Sequence, residues 1–195
     1  MSITLVTGAA NSGKSEWAEY LASQCQKPVI YIATGLKNDH DIEWQKKIEQ
    51  HQIRRPKNWQ TLEIPYNLVD AIALNFSDNC ILVDSLGTWV ANYLDKNNDD
   101  WQKEINHLLE TCREYKGEII FVGEETGWGV VPAYELGRLF RSRLGNLIRL
   151  VGGIANSVYL MVGGYAVDVA KLGINLTSIE LLAEVRQQAI GNRQQ

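Results

Sequence analysis

The stretch ITLVTGAANSGKSEWAEYL, from Ile3 to Leu21, joins an apolar run, a glycine-rich turn and a helical pattern. Its turn fits the pattern GxxxxGK[ST], in which glycines let backbone N–H groups approach phosphate oxygens closely. The helix dipole and the lysine add positive charge, and the hydroxyl after the lysine can bind Mg²⁺. We therefore predict a nucleotide-binding phosphate loop, with Ser15 as a metal ligand, formed by Gly8, Ala9, Ala10, Asn11, Ser12, Gly13, Lys14 and Ser15.

Short apolar runs alternate with helical patterns along the rest of the chain. Strands are predicted at residues 3–7, 29–33, 59–64, 81–84, 118–123 and 157–162. Helices are predicted at residues 14–25, 41–52, 67–74, 87–94, 101–115, 134–151 and 178–188. This alternation favours an α/β fold like that of P-loop NTPases, with a mostly parallel central sheet and helices on both faces. We expect residues 1–173 to form a single nucleotide-binding catalytic domain and residues 174–195 a helical extension with a polar tail.

Composition and charge exclude several classes of function. The net charge of −4 and the absence of a basic face argue against a nucleic-acid partner. The three cysteines are widely spaced and form no CxxC pair, so the sequence indicates neither a zinc site nor a disulfide framework. No apolar run approaches the ~20 residues of a membrane span, and no signal pattern is evident. Together these features predict a reduced, cytoplasmic enzyme.

Two residues outside the loop are candidates for chemistry on a bound nucleotide. Asp84 ends the apolar run CILVD, where a carboxylate can bind Mg²⁺ directly or through water. An aspartate in this position can also cap a helix, but the phosphate loop favours the metal role. His51 opens the segment HQIRRPKNWQTLE, in which cations can approach phosphates and a neutral imidazole could act as base or nucleophile. Composition alone favours a structural role for a lone histidine, so His51 needs further evidence.

Five segments supply that evidence: TGAANSGKSEWAE, YIAT, HQIRRPKNWQTLE, LVDSLGTWVANYL and EETGWGVVPAYELGRLFR. Together they resemble the bifunctional adenosylcobinamide kinase / adenosylcobinamide-phosphate guanylyltransferase family of cobalamin (vitamin B12) biosynthesis. The likeness extends over roughly residues 3–163. The third segment is similar to the signature H-x3-RP-x2-W-x-T-x-E, which few other phosphate-loop families carry. The phosphate loop is generic, whereas this signature and the GWGVVP segment together are specific.

The resemblance implies two activities on one site. The enzyme would phosphorylate adenosylcobinamide, and it would transfer GMP from GTP to adenosylcobinamide phosphate through a GMP joined covalently to His51, giving adenosyl-GDP-cobinamide. A corrinoid substrate, Mg²⁺, GTP or ATP as donor and a trimeric assembly are implied as well. The resemblance also implies nucleotide contacts by residues outside the loop, namely Ala33, Thr34, Gly35, Gln52, Ile53, Arg54, Arg55, Glu63 and Asp84.

The chain departs from the family pattern at Glu124, Ser142, Ile148 and Arg149. Two other functions stay open on sequence grounds, and these departures favour the first of them. A P-loop small-molecule kinase would use the loop and Asp84 without the guanylyl step. A nucleotide-dependent switch protein would have no small-molecule substrate, but such switches usually carry an Asn-Lys-x-Asp segment, which this sequence lacks.

Overall fold

A computed structural model describes residues 2–36, 42–74 and 79–176. The strands in these ranges are β1 Ser2–Gly8, β2 Val29–Ala33, β3 Gln60–Glu63, β4 Cys80–Asp84, β5 Glu118–Glu124, β6 Ser157–Val162 and β7 Tyr165–Asp168. The helices are α1 Lys14–Gln24, α2 Ile42–Arg54, α3 Leu68–Leu74, α4 Leu86–Asn92, α5 Asn98–Glu114, α6 Glu135–Ile154 and α7 Val169–Leu172. Across these ranges, no helix has both the length and the apolar character that crossing a bilayer requires.

The strands form one sheet in the order β3-β2-β4-β5-β1-β6-β7. The first six strands are parallel, and β7 pairs antiparallel with β6. Parallel strands need long crossover connections, and helices provide most of them here. The predicted α/β fold with a mostly parallel sheet is therefore confirmed.

Apolar side chains cover both faces of this sheet. Successive strand residues point to opposite faces, so Leu5 and Val83 pack with α3 to α6, whereas Val6 and Leu82 pack with α1. Burial on both sides explains why the central strands are almost continuous apolar runs rather than alternating ones. Because the helices lie against the faces, the carboxyl edge of the sheet stays open for a site.

The sequence prediction was incomplete at the C-terminal end of the sheet. Residues 165–168 form β7, which follows β6 through a tight turn at Gly163 and Gly164, with φ angles of 58° and 84°. Glycine tolerates this left-handed backbone, and two such residues suit a hairpin turn. In the predicted amphipathic helix, Leu144 and Leu147 are buried, but Leu136 is 59% exposed. The predicted helix at 178–188 lies outside the described residues.

A buried arginine joins α6 to the connection between α4 and α5. Arg143 is 5% exposed, and its guanidinium donates to the carbonyl oxygens of Tyr93 (2.8 Å) and Lys96 (2.6 Å) and to Asn98 Oδ1 (3.2 Å). The Arg143 guanidinium carbon also lies 5.5 Å from the centre of the Trp101 ring. These contacts replace the water that a buried charge loses.

Replacing Arg143 with methionine should lower the free energy of unfolding by about 3 kcal/mol, because carbonyl oxygens that now accept from a cation would lose their donors. Urea denaturation followed by tryptophan fluorescence measures this change. Arg149→Met is the matched control, because Arg149 is exposed on the same helix and donates to Asn146 Oδ1 at 3.2 Å. The control should change stability by less than about 0.5 kcal/mol. Equal effects of the two variants would contradict the role given to Arg143.

Candidate active site

The phosphate loop connects β1 to α1 as the sequence predicts. A Cβ at Gly8 would lie 2.7 Å from the carbonyl oxygen of Met161 in β6, so only glycine fits there without moving backbone. Gly13 caps α1 in the left-handed conformation, with φ of 89°. Lys14 begins the helix, is 8% exposed, and donates from Nζ to the carbonyl oxygen of Ala9 at 2.8 Å. The lysine ammonium is thus folded back over the loop where phosphates would bind.

A cleft opens beside this loop, at the carboxyl ends of β1, β2, β4 and β5. Ligands of open α/β sheets bind at this edge, because loops from several strands meet there. The structure brings many of the predicted site residues together in the cleft lining: Ala10, Asn11, Lys14, Ser15, Ala33, Gly35, His51, Gln52, Arg55, Glu63 and Asp84.

Other predicted residues lie around the cleft instead of lining it. Four of them form part of the loop backbone and are not among the residues that line the cleft: Gly8, Ala9, Ser12 and Gly13. Thr34 is fully buried, and its hydroxyl donates to the Ser85 carbonyl oxygen at 2.6 Å. Ile53 is 76% exposed.

Arg54 pairs with carboxylates of α1, Glu16 at 2.6 Å and Glu19 at 3.3 Å, and so holds α2 against the helix that follows the loop.

His51 lies on the last turn of α2 and is 17% exposed. Its Nδ1 atom is 3.6 Å from Asp84 Oδ2 and 3.8 Å from Glu19 Oε1. Arg54 Nη2 lies 3.5 Å from the same nitrogen. Burial raises the pKa of the Glu19 carboxyl, while the Arg54 guanidinium acts in the opposite direction. The fold therefore places the imidazole between two acidic side chains at the wall of the cleft.

Tyr31 contacts the Asp84 carboxylate, and Arg55 in turn packs on the Tyr31 ring. The Tyr31 hydroxyl donates to Asp84 Oδ2 at 2.9 Å. Burial raises the pKa of the Tyr31 phenol, and the Asp84 charge raises it further, so the phenol stays protonated as a donor. The Arg55 guanidinium lies 3.4 Å from the centre of the Tyr31 ring. Its buried Nε has no hydrogen-bond partner among the described residues, which leaves a donor for a bound anion.

Glu124 also lines the cleft, at the end of β5. Its Oε1 accepts a hydrogen bond from Ser85 Oγ at 2.5 Å. A Cβ on Gly87 would collide with its Oε2, so the glycine in α4 leaves the space that this carboxylate occupies. Ser85 in turn caps α4, together with Thr88. Asp84 itself therefore is not the cap of this helix, which removes one of the two roles considered for it.

The cleft also contains residues that the sequence analysis did not name as site residues: Tyr31, Ile48, Thr61, Ser85, Thr88, Val122 and Glu124. The sequence could have indicated Glu124 as a site residue, because it ends a buried strand in the same way as Asp84. Of the other departures from the family pattern, Ser142 and Arg149 are exposed on α6. Ile148 packs against the core, next to Gly123. Glu124 is thus the departure that changes the cleft.

Residues 4–169 match the family model described as cobinamide kinase / cobinamide phosphate guanyltransferase. The chain belongs to this family. It is 38% identical over 164 residues to the bifunctional adenosylcobalamin biosynthesis protein CobP of Pseudomonas aeruginosa, covering 82% of this chain and 92% of that protein. It is 34% identical over 180 residues to the bifunctional adenosylcobalamin biosynthesis protein CobU of Escherichia coli, covering 85% of this chain and 98% of that protein.

More distant similarities to solved structures agree with the fold. The Pyrococcus horikoshii OT3 protein of project PH0250 matches with a TM-score of 0.53 at 7% identity, over 86% of this chain and 85% of that one. A prototypical ATPase of a bacterial type III secretion system matches with a TM-score of 0.50 at 9% identity, over 83% of this chain and 51% of that one.

Family membership makes the chain a cobinamide kinase and guanylyltransferase of cobalamin biosynthesis, as predicted.

Proposed function

We propose that GMP is transferred in two steps, with His51 as the nucleophile that carries it. The supporting observation is the position of the His51 imidazole, 3.6 Å from Asp84 in the cleft that Lys14 and Ser15 also line. An imidazole beside a loop that grips a triphosphate can reach a phosphorus atom. The same loop would serve the kinase step.

The surroundings of the imidazole favour attack by its Nε2 atom. Asp84 and Glu19 both face Nδ1, and nearby carboxylates favour a proton on that nitrogen, which places the lone pair on Nε2. Arg54 is close to Nδ1, but its guanidinium is engaged by Glu16 and Glu19. As the new bond forms, the ring becomes positive. The two carboxylates and the negative end of α2 stabilise that charge.

The transfer reactions need no reactant other than their substrates. Nε2 attacks the α-phosphorus of GTP, an N–P bond forms, and the bond to the β-phosphate oxygen breaks with release of pyrophosphate. A phosphate oxygen of adenosylcobinamide phosphate then attacks the same phosphorus, and the N–P bond breaks. The product is adenosyl-GDP-cobinamide, and His51 is regenerated. In the kinase step, the oxygen of a cobinamide hydroxyl bonds to the γ-phosphorus and the hydroxyl loses its proton, while the bond from that phosphorus to the β-phosphate oxygen breaks and a nucleoside diphosphate leaves.

The residues of the cleft fit a magnesium ion. Ser15 and Asp84 offer the hard oxygen donors that Mg²⁺ prefers, and the Tyr31 bond to Asp84 Oδ2 leaves Oδ1 for a cation. Within the described residues, no group of three or more His, Cys, Asp or Glu side chains could hold a metal ion. This agrees with an ion that takes its other ligands from phosphates and water. When bound, Mg²⁺ would neutralise charge on the triphosphate.

Substrates and assembly complete the proposal. The family description supports a corrinoid substrate and a nucleotide donor, which we take to be GTP or ATP. Free thiols at Cys25, Cys80 and Cys112 suit the reducing cytoplasm. We also propose that residues 1–173 form one catalytic domain and that residues 174–195 are an extension of it. We also propose a trimer, and a subunit contact is supported by exposed apolar residues in the connection from β5 and in the first turn of α6: Trp128, Val130, Val131, Tyr134 and Leu136.

Incubation with Mg²⁺ and GTP labelled at the α-phosphate tests the central step. The label should remain on the denatured protein, leave in acid, and resist alkali, as expected for a phosphorus–nitrogen bond. GTP labelled at the γ-phosphate should leave no label. Peptide mass spectrometry should locate GMP on His51. Protein that never retains the α-label would refute the covalent step.

A further inference from the structure

The Glu124 carboxylate lies in the cleft but has no part in guanylyl transfer as proposed. It ends β5, which lies between β1, the strand that feeds the loop, and β4, the strand that ends at Asp84. Glu124 pairs in register with Gly8, the first residue of the phosphate loop. The carboxylate therefore stands at the edge of the sheet next to the start of the loop.

The two oxygens of Glu124 differ in their partners. Oε1 accepts from Ser85 Oγ at 2.5 Å, which fixes the orientation of the carboxylate. Oε2 lies against Gly87 of α4, where it is buried and has no hydrogen-bond partner in the described part of the chain. An unpaired buried acceptor of this kind is destabilising. A bound group whose donor reaches Oε2 from the cleft, with a small turn of the side chain away from Gly87, would remove that cost.

The two reactions of the family differ in the group that attacks. The acceptor of guanylyl transfer is a phosphate, which is already ionised near neutral pH and has no proton to remove. The acceptor of the kinase step is a hydroxyl, which must lose its proton as it bonds to phosphorus. A general base therefore helps only the kinase step, by a factor of about 10² to 10⁴.

We propose that Glu124 is the general base of the kinase step. Its carboxylate accepts the proton of the corrinoid hydroxyl while the hydroxyl oxygen bonds to the γ-phosphorus and the bond from that phosphorus to the β-phosphate oxygen breaks. The proton then leaves to solvent. This role rests on the proposed function, because both reactions share the cleft.

Other acidic residues of the cleft fit this role less well. Asp84 accepts from Tyr31 and faces His51, so its carboxylate serves the cation and the imidazole. Glu63 ends β3, which lies four strands from β1. At about 4.8 Å per strand, that is about 19 Å from the strand that feeds the loop, whereas β5 is its direct neighbour.

The Glu124→Gln variant tests the proposal, because it keeps size and hydrogen bonding but cannot take the proton. Its kcat for phosphorylation of adenosylcobinamide should fall by about 100-fold or more, with ATP or GTP as donor, and KM for the nucleotide should change by less than about threefold. In the same sample, retention of α-labelled GMP should fall by less than about tenfold. That retention also verifies that the variant is folded.

Glu125→Gln is the matched control, since Glu125 is the next residue, is also half-buried, and accepts from Thr7 Oγ1 at 2.9 Å outside the cleft lining. It should keep kinase turnover. If Glu124→Gln does not fold, Glu124→Asp replaces it and should show the same selective fall in kinase kcat. Kinase turnover that survives the change, or an equal fall in both reactions, overturns the proposal. Absence of GMP on the unmodified protein would instead count against His51 and leave the kinase comparison intact.

Discussion

The His51→Ala variant should retain no GMP and should transfer GMP to adenosylcobinamide phosphate about 10³-fold more slowly or worse. Without the imidazole, the acceptor phosphate would have to displace pyrophosphate in one step, with two anions approaching each other and no nucleophile held in the cleft. Phosphorylation of adenosylcobinamide should stay within a few-fold of the original rate, because that step needs positioning and a metal rather than the ring. Separate assays with each corrinoid acceptor measure the two rates.

His107→Ala is a matched control for this experiment. His107 is exposed on α5 and is not among the residues that line the cleft. Its replacement should leave both rates unchanged, because an exposed side chain away from the cleft contacts neither substrate. Unimpaired guanylyl transfer by the His51 variant would rule out the nucleophile assignment. Equal loss of both activities would mean that His51 acts in nucleotide binding instead.

The Lys14→Met variant should lose both reactions, each by about 10³-fold or more. The lysine supplies the charge that a phosphate loop directs at the outer phosphates, and both reactions expel or transfer those phosphates. The side chain is almost fully buried and donates to Ala9 within the loop. Methionine keeps the apolar stem but removes the charge. Initial rates of both transfers, with thermal denaturation to verify folding, measure the effect.

Lys103→Met provides the comparison for the loss of a lysine charge. Lys103 is exposed on α5 and pairs with Asp100 at 2.8 Å. It should retain both rates and nearly the same stability, since exposed ion pairs contribute little. A Lys14 variant that keeps either reaction would mean that the loop does not bind the phosphates used in that reaction.

Much of the fold could be predicted because its signals are local. Runs such as CILVD and EIIFVGE are apolar throughout, as strands buried on both faces must be, and the glycine pattern of the loop dictates a strand before it and a helix after it. β7 was not predicted, because four residues after a glycine pair are too few to show the alternation of apolar and polar residues that distinguishes a strand from a loop. The antiparallel edge of the sheet therefore became visible only in the structure.

The candidate site was only partly predictable for a different reason. The loop and Asp84 follow from the residue pattern, but His51 was assigned through the resemblance of its segment to a family motif. Glu19 and Tyr31 give no local signal, because each acquires its role from contacts between distant parts of the chain, with His51 and with Asp84 respectively. A periodic pattern predicts which side chains are buried. It does not predict which polar atoms will face each other across a cleft.

The collision that a Cβ on Gly87 would make with the Glu124 carboxylate constrains how this enzyme can evolve. A mutation that gives residue 87 a side chain must displace the end of the Glu124 side chain, unless a shorter residue already stands at 124. We therefore expect the two positions to change together among relatives.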